Sequence, residues 1–166
     1  MDEIKKIEIE KLQKISITTK FNLQLIIKDY YITILLYLLR DVKGMHFKGG
    51  TALVKTFLNY SRLSEDIDFT LTDDLEKVKK EIKEKIVESK LFEKITKDKD
   101  VDGFIRLVAH YKDPFDETGI IFIDLNKRGK LILPSEIQKI NHFYKEFIPE
   151  FSCNCVAKEE MIAEKM

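Results

Sequence analysis

Lys48–Phe69, KGGTALVKTFLNYSRLSEDIDF, is the stretch on which the reading of this chain turns. Met45 to Lys48 is a short apolar approach, Gly49-Gly50 is a turn, and Thr51 to Asn59 is helix-compatible, with Leu53, Phe57 and Leu58 on one side. The order is strand, glycine turn, helix. Thr51 is placed to cap that helix. The glycines before it let an anion approach backbone amides at the positive end of the helix dipole, which suits a nucleotide's phosphate tail. In Asp66–Leu71, DIDFTL, acid and apolar residues alternate with the period of a strand, so Asp66 and Asp68 share one face and Ile67 and Phe69 the other. Side chains two apart on a strand are rooted roughly 7 Å from each other, close enough to converge on one or two divalent ions. Oxygen-only ligands suit Mg²⁺ or Mn²⁺ better than zinc. Singly, these features need mean no more than a tight turn, a core helix and the wet face of an edge strand. Their conjunction is more specific.

The same residues resemble a known family. KGGTAL followed by RLSEDIDF is similar to the signature of the AbiEii/AbiGii-type nucleotidyltransferase toxins, within the wider polymerase-beta-like nucleotidyltransferase superfamily. KDYYITILLYLLRD (Lys28 to Asp41) resembles that family's leading helix, and Ala163-Glu164-Lys165 a later motif. The resemblance implies an α/β (α+β) fold, with a small mixed or antiparallel sheet flanked by helices. It implies a nucleoside triphosphate held by Lys48, Gly49, Gly50 and Thr51, with Arg62, Ser64 and Lys165 as further nucleotide contacts. It also implies Mg²⁺ or Mn²⁺ on Asp66, Asp68 and a third acid, and transfer to an RNA acceptor such as the 3′ end of a tRNA, in a toxin neutralised by a cognate antitoxin. Gly44 to Thr51 approaches a phosphate-binding loop of the G-x-x-x-x-G-K-[ST] type, but Gly50 stands where the lysine must be.

With 166 residues, 44% hydrophobic and 35% charged, the chain can bury a real core as one domain. Lysine plus arginine and aspartate plus glutamate each number 29, which argues against a uniformly basic nucleic-acid coat. No apolar run is long enough for a membrane helix, and MDEIKKIEIEK lacks the apolar core of a secretory signal, so the expected location is the cytoplasm, away from membranes. Cys153 and Cys155 are too close for an easy bridge and read as reduced thiols in a strand.

In order, the chain begins with a lysine- and glutamate-rich amphipathic helix ending near Ser16 to Thr19, then a largely buried helix from Phe21 to Leu39, closed by Gly44 as a left-handed cap. Lys28 and Asp29 in that helix are either a solvated polar edge or, by the resemblance, supports for the site. Arg62 offers a planar fork to phosphate oxygens or pairs with Glu65 or Asp66. Thr72 to Leu91 is a helix capped by Thr72 or Asp73, with Leu75, Val78, Ile82 and Ile86 as its apolar stripe. Lys94 to Asp100 is a charged turn or short edge strand. Val101 to Tyr111 and Thr118 to Leu125 are strands paired antiparallel beside the acidic strand. Asp124 interrupts an apolar run and needs a partner or an ion. The superfamily completes its metal site with an acid on an adjacent strand, which makes Asp124 the third ligand or the general base. The alternative is a strand-end aspartate pairing with Lys127 or Arg128. His46, His110 and His142 read as structural, Lys127 to Lys130 as a basic turn, Leu133 to Tyr144 as a short helix, and Phe151 to Ala157 as a strand.

Lys158 to Met166 has helical periodicity with no breaker. In the family a helical region with another acidic motif follows, so the expectation is one nucleotidyltransferase-like domain over 1–166 that lacks this region. The competing expectations are a non-catalytic module that binds a nucleotide or a partner, and a metal-dependent phosphohydrolase using the same carboxylates.

Overall fold

A computed structural model describes residues 3–58, 62–127 and 130–165, with only the backbone of Lys165 described. Among these residues there are five helices and seven strands. The helices are α1 (Ile9–Thr19), α2 (Leu23–Leu39), α3 (Gly49–Thr56), α4 (Leu75–Ser89) and α5 (Lys158–Lys165). The strands are β1 (Met45–Lys48), β2 (Asp66–Leu71), β3 (Lys94–Val101), β4 (Phe104–Lys112), β5 (Thr118–Asn126), β6 (Glu136–Lys139) and β7 (Ser152–Cys155). The strands form one sheet in the order β3-β4-β5-β2-β1-β7-β6. Pairing is antiparallel except for β2 with β5 and β1 with β7. The mixed α/β architecture is the one the sequence implies.

The period-two pattern fixes which face is dry. Ile67, Phe69, Ile123, Leu125, Ile105 and Leu107 are buried on one face of the central strands, and Tyr31 of α2 stacks on Tyr111 of β4 at 4.2 Å between ring centroids. The helix α2 is apolar almost all round and buried along most of its length, as a helix between other layers must be. α4 buries only the stripe Val78, Ile82 and Ile86, and its lysines and glutamates face water. Among the described residues no single helix is long and apolar enough to cross a membrane.

Several boundaries differ from the sequence reading. Thr51 is not a cap: α3 starts two residues earlier, and the Thr51 hydroxyl donates to the Asp66 carbonyl, tying the helix to β2. α3 also stops at Thr56, leaving Leu58 half exposed. The α4 cap is Asp74, whose carboxylate accepts from the Lys77 amide at 3.0 Å. Arg40 ends α2, and Gly44, at φ +78°, serves a later turn where a side chain would strike Asp73. Val101 belongs to β3, because Asp102-Gly103 turns the chain before β4. The helix expected over Leu133 to Tyr144 is absent. Residues 136–139 pair with β7, whose edge offers a ladder that outweighs local helix preference.

Of the two readings of Lys28 and Asp29, the solvated polar edge does not hold for Asp29. Asp29 is buried and pairs with the equally buried Lys55 of α3 at 2.9 Å, their side chains 2% and 1% exposed. Lys55 also donates to Thr33, and the Tyr144 hydroxyl donates to Asp29 at 2.8 Å. Each charge is therefore compensated and hydrogen-bonded. Removing one partner strands the other in a dry interior. Lys55→Met should cost about 3–5 kcal/mol in urea unfolding, and the double variant Asp29→Leu/Lys55→Met should recover part of that loss.

Candidate active site

Strand register aligns a row of charged residues across the sheet. Lys48 of β1 stands opposite Asp68 of β2, Asp68 beside Asp124 of β5, and Asp124 opposite Arg106 of β4. Two acids thus lie side by side at the middle of the row, with a cation on either flank. All four occupy the face opposite the core, since each alternates with buried apolar neighbours along its strand.

At the Lys48 end the chain passes directly from β1 into α3. Gly49 makes this possible with φ +88°, and a Cβ built there would lie 2.7 Å from Asp68 Oδ2. The Asp68 carboxylate therefore rests against the first turn of α3, where the leading amides of a helix lack intrahelical acceptors. Gly50, Thr51, Arg62, Ser64, Asp66 and Asp68 line one cavity of about 270 Å³. Gly50 and Thr51 of the expected cradle thus share a cavity with Asp66 and Asp68, whereas Lys48, Gly49 and Asp124 are not among the residues that line it. Arg62 takes neither carboxylate partner considered from the sequence; its Nη1 donates to Ser64 Oγ at 3.1 Å. Lys28 of α2 reaches Glu65 at 3.6 Å on the rim.

Crowding of the acids shows in their protonation. Burial first, then the charge of Asp124 and a hydrogen bond to it, push the Asp68 carboxyl up to about 6, with Lys48 opposing. Asp66 is also raised, mainly by burial, against the pull of Lys28. Two carboxyls that compete for one proton form a donor set that a hard divalent cation would relieve. Yet among the described residues no three His, Cys, Asp or Glu side chains are gathered to hold a metal. Asp124 is engaged elsewhere: Arg106 Nε and Nη2 donate to its two oxygens at 2.7 and 3.0 Å. It does not pair with Lys127, which donates to the Asp73 carbonyl, and Arg128, the other partner considered from the sequence, lies outside the described residues.

Arg106 is the residue that sequence reasoning missed. A hairpin register would have found it, because Lys112 pairs with Thr118 and the positions six further along each strand are Arg106 and Asp124. Lys165 closes α5, and its side chain lies outside the described residues, as do Asn59, Tyr60, Ser61 and Gly129. The histidines are structural: His110 meets Thr96, His46 meets Thr72, and His142 accepts from the Tyr144 amide. Cys153 and Cys155 are free and buried, with both thiols raised by that burial.

A family model described as nucleotidyl transferase AbiEii toxin, type IV toxin-antitoxin system, matches residues 38–166. Among solved structures the chain resembles MenT4, a nucleotidyltransferase toxin from Mycobacterium tuberculosis, with a TM-score of 0.74 and 23% identity over 96% of this chain and 58% of that one. JHP933 from Helicobacter pylori aligns with a TM-score of 0.60 and 21% identity over 86% of this chain and 56% of that one. The chain thus spans less than two thirds of the length of either structure. No curated protein matches the sequence significantly.

A pH dependence follows from the acid pair. Because the folded Asp68 binds its proton more tightly than an unfolded aspartate, its contribution to stability is present below about pH 4 and is lost as pH rises through about 6. At pH 7.5 the ionised carboxylate opposes folding. Asp68→Asn should therefore stabilise the protein at pH 7.5 by about 1–2 kcal/mol after allowance for solvent screening, or roughly 3–6 °C in Tm. Thermal melts across the range should show the gain vanishing near pH 4.

Proposed function

The chain belongs to the nucleotidyl transferase AbiEii toxin family, and from that premise we propose that it transfers a nucleotide from a nucleoside triphosphate to an RNA acceptor, such as a tRNA 3′ end, in a divalent-cation-dependent reaction. We read it as one nucleotidyltransferase-like domain acting in the cytoplasm and neutralised by a cognate antitoxin. The observation that carries this is the single cleft that joins the glycine-led start of α3 to the carboxylates of β2.

In this proposal the amides at Gly49, Gly50 and Thr51 receive phosphate oxygens, with the α3 dipole favouring the charge. Lys48 and Lys165 add cationic charge to the phosphate site. Arg62, which donates to Ser64 and lines the same cavity as the start of α3, would add a guanidinium to the phosphate site. Asp66, Asp68 and Asp124 would hold Mg²⁺ or Mn²⁺, with Asp124 alternatively accepting the proton of the attacking hydroxyl. When bound, the cation would orient the triphosphate, lower the pKa of that hydroxyl and offset charge on the departing pyrophosphate. The protein's own contribution is alignment of tail, acids and acceptor in one cleft.

A second reading, binding of nucleotide or partner without transfer, is favoured by the hold of Arg106 on Asp124. Incubating each labelled nucleoside triphosphate with total RNA and Mg²⁺ separates the two. Transfer predicts label on RNA from one triphosphate, reduced about 100-fold or more in Asp66→Asn and Asp68→Asn. Binding predicts retained nucleotide with unlabelled RNA, and a phosphohydrolase releases phosphate without any acceptor.

Gly49→Ala tests the close approach of the cradle to Asp68. It adds a methyl against Asp68 at a backbone angle that costs about 1–2 kcal/mol for a side chain. The nucleotide KM should rise in steady-state transfer assays while the circular dichroism spectrum stays unchanged.

A further inference from the structure

Arg106 grips the very carboxylate that the cation needs. Both Asp124 oxygens accept from it, and the pair is largely shielded, with side chains 23% and 12% exposed. Its guanidinium carbon lies over the Phe122 ring, 4.6 Å from the centroid, a cation–π contact on the polar face of the sheet. A second carboxylate waits beyond: Asp98 of the edge strand β3 is 4.0 Å from Arg106 Nη1 and much more exposed. The nitrogen nearest Asp98 is Nη1, whereas Nε and Nη2 make the two bonds to Asp124.

We infer that Arg106 is a positioning residue that competes with the divalent cation for Asp124. It holds Asp124 in the cation-free protein and passes to Asp98 when the cation enters beside Asp68. This inference rests on the proposed cation role of Asp66, Asp68 and Asp124. Coulomb's law gives the reason for a discrete exchange: a guanidinium and a divalent cation repel strongly at contact distance, so both cannot hold Asp124 at full strength. An arginine with an alternative acid nearby can leave without being stranded.

Mn²⁺ binding to the full chain without nucleotide, followed by the electron paramagnetic resonance signal of free Mn²⁺, tests this. Arg106→Gln should tighten Mn²⁺ binding about 3- to 10-fold by freeing the carboxylate. Asp98→Asn should weaken it about 2-fold or more by removing the alternative partner. Lys99→Gln removes a cation from the strand position opposite Arg106 without freeing Asp124, and should change affinity much less. Should Arg106→Gln fail to fold, Arg106→Lys keeps the charge but loses the paired grip, and it should bind Mn²⁺ with intermediate affinity. Equal affinity in wild type and Arg106→Gln, or equal tightening by Lys99→Gln, overturns the competition while leaving the cation site standing. Absence of Mn²⁺ binding in wild type and Arg106→Gln alike sinks both the competition and the cation role.

Discussion

The geometry of the cleft depends on one close approach, that of the Asp68 carboxylate to the backbone at Gly49. β1 and β2 run antiparallel with Lys48 opposite Asp68, so the residue after Lys48 must pass the Asp68 side chain as the chain turns into α3. Only a residue without a Cβ makes that passage unstrained, both because φ is +88° and because Oδ2 fills the space a methyl would need. The consequence is chemical as well as steric. A helix start, which attracts anions, and a carboxylate, which repels them, are placed within one cavity. That combination becomes favourable when a ligand carries both phosphate oxygens and counter-cations.

The parallel pairing of β2 with β5 adds the second constraint. It sets Asp68 directly beside Asp124, a like-charge arrangement that a sheet selected only for stability would avoid. Burial and then the charge of Asp124 raise the Asp68 carboxyl, Lys48 opposes that rise, and Arg106 at the other end of the row pairs with Asp124. The sheet is thus locally frustrated on its polar face and well satisfied on its apolar one. Such a contrast is expected where stability has been exchanged for a binding site.

Much of this was legible in the sequence because it is written in period. DIDFTL alternates and forms β2 with the bounds expected, IIFIDLN forms most of β5, and the apolar run from Leu23 to Leu39 forms α2. Thr51 and Asp74 show where local signals mislead. Several residues could serve as a cap, and tertiary bonding to Asp66 decided the fate of Thr51. β6 was hidden because residues 136–139 are a strand only by virtue of the β7 edge beside them. Arg106 was hidden because its meaning lies in register: an arginine in FIRLVAHY is unremarkable until the hairpin brings it against Asp124. Lys55 in TALVKTF was hidden for the same reason, since helical spacing alone does not reveal a buried acid on another helix.

The neighbours Lys28 and Asp29 show how one helix can serve both core and cleft. Consecutive residues on an α-helix point about 100° apart, so when Asp29 turns inward to Lys55, Lys28 must point elsewhere. It points to the rim, where it pairs with Glu65 and draws down the proton affinity of Asp66. The inward pair anchors α3 through its last turns, and α3 carries the glycine start of the cleft at its other end. The outward pair anchors the segment that leads into β2. α2 therefore touches both sides of the cleft, α3 through a buried ion pair and the approach to β2 through a weaker exposed one. Loss of the buried pair would loosen the wall that bears the glycines, whereas loss of the exposed one would chiefly shift the charge seen by Asp66.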